Sequence, residues 1–100
     1  MTRGDMDDKQ AWAQFMNLCL KVENQEMLDQ FFDLFLTVEE KNTLASRYKI
    51  IKSLFENKLP QRTIAIENNV SIAQITRGSN ALKRISPEVE VFLKKSFKLK

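Results

Sequence analysis

The chain has 100 residues, a formal net charge of +3, a single cysteine and no histidine. One cysteine forms no internal disulfide, no Cys/His set exists to hold zinc, and the commonest general base is missing. The polar, acidic start does not read as a signal peptide, and no stretch approaches the ~18 uninterrupted apolar residues of a membrane span, so the expectation is a cytoplasmic protein that does no catalytic chemistry.

Two glycines, two prolines and little alternation of apolar with polar residues predict an all-α chain. Residues 1–8 read as a flexible arm and 9–100 as one helical domain. A first helix is expected over 9–22, where Trp12, Phe15, Met16, Cys19 and Val22 recur at spacings of three and four. A second, over 25–35, is apolar nearly all round: Phe31, Phe32, Leu34, Phe35 and Leu36 fall within six residues. A monomer of six short helices has little interior to hide such a segment. It predicts a partner chain, most simply a second copy; a compact monomer with a dense core is the alternative.

The third helix begins after Thr37, which is spaced from Glu40 as in a capping box. Its expected apolar stripe is Leu44, Tyr48, Ile51 and Phe55, widened by Ile50 and Leu54, with Asn57 as a left-handed stop. Pro60 opens a fourth helix over 61–67. Asn68-Asn69-Val70 is a turn, and Ser71 caps a fifth helix with capping-box spacing to Gln74. Ser86-Pro87 starts a sixth, which ends near Phe97.

Residues 61–84 have the form of a helix-turn-helix. Ile64, Ile72 and Ile75 can pack the two helices, with Val70 under the turn, while the second helix offers Ser71, Gln74, Thr76, Arg77, Ser79 and Asn80. Short polar side chains suit a helix that enters a major groove; many helix pairs in other proteins share the pattern. Charge is split in the same direction. Residues 1–50 carry 6 basic and 9 acidic side chains, and residues 51–100 carry 10 and 4. Such asymmetry fits a nucleic-acid partner for the second half, or ordinary solvated charge. Gly78 falls inside the fifth helix, where glycine costs about 1 kcal/mol relative to alanine. A flat ligand against the backbone or close helix packing would offset this.

The run Ile75-Thr76-Arg77-Gly78-Ser79-Asn80-Ala81-Leu82-Lys83 resembles the signature of the tryptophan repressor (Trp repressor) family. Leu36-Thr37-Val38-Glu39-Glu40, the stretch from Leu44 to Arg47, and Gln61-Arg62 look like further segments of it, in a match running without gaps from about Phe35 to Phe97. The resemblance implies a six-helix intertwined homodimer with a helix-turn-helix head. It also implies a DNA-binding transcriptional repressor that takes a palindromic double-stranded operator when L-tryptophan is bound as corepressor, controlling tryptophan biosynthesis or uptake genes. By position, Arg77 would pair with the ligand carboxylate and cover one indole face, and Arg47 would cover the other. Thr37 would hydrogen-bond the carboxylate, the carbonyls of Leu34 and Leu36 from the other chain would take the ammonium group, and Gly78 would leave room for the indole. The chemistry suits a zwitterionic aromatic amino acid, which needs a guanidinium, neutral acceptors and flat cations. Taken alone, Arg47 also fits a surface arginine and Arg77 a phosphate contact.

On the DNA side, Ile72, Ala73, Gln74 and Thr76 are expected to face base edges, with Gln61 and Arg62 near them and Ser79 small enough to leave room for water. Lys58, Lys83 and Arg84 should meet phosphate. The paired recognition helices would reach grooves about 34–36 Å apart, and water would carry much of the readout; both are general statements for which this family is itself a known example. Departures from the pattern are Ala81, where the family has a serine that helps hold the ligand's amino group, Pro60 in place of a capping serine, Gln74 in place of a threonine, and the shorter arm. The loss at Ala81 keeps open a relative that responds to another indole or aromatic acid. A helical protein–protein adaptor with a basic docking face is the reading from a different class.

Overall fold

The computed structural model describes residues 6–56 and 59–98 and is all-helical there, with six helices and no strands. Asn57 and Lys58, expected as a helix stop and a phosphate contact, lie outside the described residues, as do residues 1–5 of the expected arm. Two compact units are separated near Val38, Met1–Val38 and Glu39–Lys100.

The first unit holds α1 (Asp8–Lys21) and α2 (Gln25–Phe35). Helix α1 begins one residue earlier than expected because Asp7 caps it. Its Oδ1 accepts from the Gln10 N–H at 2.7 Å, and Gln10 Oε1 accepts from the Asp7 N–H at 3.1 Å, a reciprocal pair that satisfies two donors at once. Asn24 starts α2, its Oδ1 accepting from the Met27 N–H at 2.8 Å. Phe15 sits amid the rings of both helices, stacked on Phe31 at 5.7 Å and edge-on to Phe35 at 5.0 Å. No residue of α1 or α2 is buried all the same, and Leu34 keeps 78% of its surface exposed.

The second unit holds α3 (Val38–Glu56, save its first residue), α4 (Gln61–Glu67), α5 (Ile72–Leu82) and α6 (Pro87–Ser96). Its core is Ile50, Ile64, Ala65 and Ile75, with Leu54 and Val70 packed against it. Of the expected α3 stripe, Ile50 is buried and Ile51, Leu54 and Phe55 are half-buried, whereas Leu44 and Tyr48 are exposed. Ile72, expected to help pack α4 against α5, is half exposed at the first turn of α5, and Ile64 and Ile75 fill the seam without it.

Pro60 stands at the N-cap of α4 with extended backbone and no side-chain cap, since a proline ring offers no acceptor. The turn after α4 closes through Asn68 N–H to the Ile64 carbonyl at 3.0 Å and Val70 N–H to the Ala65 carbonyl at 3.0 Å. Asn69 takes φ 54°, left-handed backbone that asparagine tolerates better than most residues. Ser71 Oγ then accepts from the Gln74 N–H at 3.3 Å. Only this half of the expected capping box is present: the Gln74 carboxamide makes no hydrogen bond among the described residues. Ser86 caps α6 through the Val89 N–H at 3.2 Å, and Phe97 ends that helix edge-on to Tyr48 and Phe55 of α3.

Candidate ligand cleft and the exposed face of α5

A half-open cleft of about 490 Å³ lies between α3 and α5, entirely within the second unit. Small-molecule sites span about 300–1,000 Å³. Its charged side chains among the described residues are Arg47 from α3 and Arg77 from α5, and no carboxylate of those residues lines it. Asn42, Thr43, Ser46 and Gln74 add neutral donors and acceptors, and Ile50, Ile51, Gly78 and Ala81 supply apolar surface. Two guanidiniums without a competing acid favour an anionic group, and their flat faces favour an aromatic ring.

Gly78 works in two ways. It lines the cleft, and it lets α5 approach α3: a Cβ built there would stand 3.1 Å from Ile50 Cγ2, 3.2 Å from Leu54 Cδ1 and 3.5 Å from Ile51 Cδ1. Close packing therefore offsets the helical cost of this glycine whether or not a ligand is present.

The residues anticipated for a ligand fall into two groups. Arg47, Arg77 and Gly78 share the cleft. Leu34 in α2, Leu36 at its C-cap and Thr37 just before α3 belong to the first unit and do not line it. Sequence reasoning missed Asn42, Thr43, Ser46, Ile50 and Ile51 as cleft residues. Counting one helical turn either way from Arg47 reaches Thr43, Ile50 and Ile51, a signal that was available.

Around α5, successive side chains turn by about 100°. Gln74, Arg77, Gly78 and Ala81 lie within about 60° of Gln74, on the cleft side. Thr76 projects about 160° from Gln74, and Ala73, Thr76, Asn80 and Lys83 form a separate exposed strip. Ile72 is half exposed beside that strip, while Ser79 is half-buried toward the seam. Gln61 and Arg62 are exposed at the start of α4. Arg84 is exposed, its Nε donating to the Asn80 carbonyl at 3.4 Å. The outward surface of α4 and α5 thus carries Arg62, Lys83 and Arg84 against Glu67.

An all-helical protein with a cleft of small-molecule size behind an exposed helix face is the class these features describe. The chain belongs to the Trp repressor family: the family described as Trp repressor protein matches residues 10–97. A relative in Chlamydia trachomatis named Trp operon repressor homolog is 48% identical over 88 residues, covering 88% of this chain and 94% of that protein. Proteins of the same name in Chlamydia caviae and Mannheimia succiniciproducens are 48% and 35% identical, covering 87% and 86% of this chain and 86% and 85% of their own lengths. No helix among the described residues is long and apolar enough to cross a membrane.

Proposed function

We propose that this protein is a homodimeric repressor that binds a palindromic operator when L-tryptophan occupies the cleft between α3 and α5. The observation that carries the reading is the cleft itself: two arginines and no acid among the described residues, with Arg77 on the helix that also presents the exposed strip Ala73, Thr76, Asn80 and Lys83. Membership of the Trp repressor family supports the choice of ligand and of DNA.

In this mechanism Arg77 pairs with the ligand carboxylate, and the Arg47 and Arg77 planes cover the indole faces. Thr37 and the carbonyls of Leu34 and Leu36 belong to the first unit, and a second copy supplies those carbonyls to the ammonium group. The uncovered apolar surface of α1 and α2, including Trp12, Leu20 and Leu34, supports a second copy. Ligand wedged behind α5 holds that helix at the tilt that two grooves related by the dimer axis require. Without ligand the bound conformation is less populated and affinity falls by the differential binding free energy. Ile72, Ala73 and Thr76 approach base edges, Gln61 and Arg62 lie beside them, and Lys83 and Arg84 meet phosphate.

The test is a DNA titration at fixed salt, using palindromic duplexes selected from a random pool, with and without L-tryptophan. Tryptophan-dependent affinity is expected. Binding that responds to indole or another aromatic acid but not to tryptophan would move the ligand assignment, for which Ala81 leaves a methyl group where a polar contact could stand. Binding indifferent to every ligand would overturn the reading.

A further inference from the structure

We infer that Gln74 is a ligand-specificity residue, reading the ring N–H of an indole bound in the cleft, and is not a base reader on the DNA face. The inference rests on the proposed function and deepens it.

Three observations carry it. Gln74 lines the cleft between α3 and α5. It stands on the same side of α5 as Arg77 and Gly78, one turn before them, and about 160° from Thr76, the centre of the exposed strip. Its carboxamide has no hydrogen-bond partner among the described residues, so its oxygen is free to accept.

The chemistry of the cleft narrows the partner of an indole N–H to the neutral acceptors, which are Asn42, Thr43 and Ser46 on α3 and Gln74, the one that α5 supplies. An indole N–H is a donor without acceptor capacity, and it needs an oxygen when water is displaced. No carboxylate of the described residues lines the cleft, so the acceptor must be neutral. Arg77 and Arg47 only donate. Along α5, the end of the cleft beyond Arg77 offers the Ala81 methyl, and the end before it offers the Gln74 carboxamide. A ligand anchored by its carboxylate at Arg77, three residues or about 4.5 Å along the helix from Gln74, brings its ring edge within reach of that long side chain. Gln74 is exposed and outside the core, so replacing it tests the contact without opening a cavity. The backbone N–H that Ser71 caps is kept by any replacement.

The experiment is calorimetric titration of the full chain, free of DNA, with L-tryptophan and with its benzothienyl analogue, in which sulfur replaces the ring N–H at nearly the same size. The wild type is expected to prefer tryptophan by about 2- to 13-fold, the range of one neutral hydrogen bond. In Gln74→Leu that preference disappears, tryptophan affinity falls by a similar factor, the thermal midpoint holds, and operator affinity at saturating tryptophan changes less than twofold. A Gln74→Leu variant that keeps both its preference and its tryptophan affinity, or one that loses operator affinity with tryptophan binding intact, overturns the inference and leaves the proposed function standing. A wild type that binds no tryptophan overturns both.

Discussion

Replacing Gly78 by alanine places two opposed effects on one carbon atom. In an unconstrained helix the change stabilises by about 1 kcal/mol, because glycine loses more backbone freedom on folding. Here the new methyl would sit 3.1 Å from Ile50 Cγ2 and 3.2 Å from Leu54 Cδ1, inside ordinary contact distance by several tenths of an ångström. Ile50 is 3% exposed and branched at Cβ, so its methyl cannot swing aside; Leu54 is half-buried and can turn. Overpacking of this kind costs about 1–3 kcal/mol. The balance is a loss of about 0–2 kcal/mol, with α5 displaced from α3 and the cleft reshaped. Urea denaturation at fixed protomer concentration measures the first effect, since the stability of the proposed dimer would depend on concentration, and tryptophan calorimetry measures the second. In a Leu54→Ala background one of the two close contacts is gone, so the same substitution should cost less, a coupling that a double-mutant cycle isolates. A Gly78→Ala variant that gains about 1 kcal/mol and binds tryptophan unchanged would refute the close approach of α5 to α3.

Other substitutions separate the parts of the account. Arg77→Ala should abolish the tryptophan response, since it removes the carboxylate partner, while sedimentation shows the dimer intact; a monomeric variant would contradict its place in the cleft. Arg62→Ala should weaken operator binding with tryptophan affinity nearly unchanged in calorimetry, because Arg62 is exposed on α4 and absent from the cleft lining. At the turn, Asn69 holds φ 54°, so Asn69→Gly should leave stability equal or higher and Asn69→Ala should lower it by about 1 kcal/mol in urea denaturation. Equal stability of those two variants would argue against left-handed backbone there.

Much of this architecture was legible in the sequence where local chemistry decides it. Helices α2 and α4 start and stop where Asn24, Pro60 and Asn68-Asn69 punctuate the chain. The start of α1 was misjudged by one residue because the Asp7–Gln10 capping box went unread. The buried edge of α3 was harder to find. Leu44, Tyr48, Ile51 and Phe55 follow helical spacing as well as Ile50 and Leu54 do, and only the packing of α4 and α5 decides that Ile50 is covered. Ile72 was misread for the same reason: its apolar character suggests packing, yet Ile75 already occupies the seam. The nonapeptide around Arg77-Gly78 marked one wall of the cleft, while the wall contributed by α3 emerges only when two helices are set side by side. Gly78 was open between ligand space and helix packing, and the distances to Ile50 and Leu54 establish the packing role.

The central claim is that tryptophan in the cleft and operator DNA on α5 stabilise the same conformation. Linkage then requires that each raise affinity for the other by the same factor. The most direct measurement is the tryptophan dissociation constant with and without saturating operator at one salt concentration. The account predicts tighter tryptophan binding in the presence of operator, by the factor with which tryptophan tightens operator binding. An unchanged tryptophan dissociation constant would contradict it.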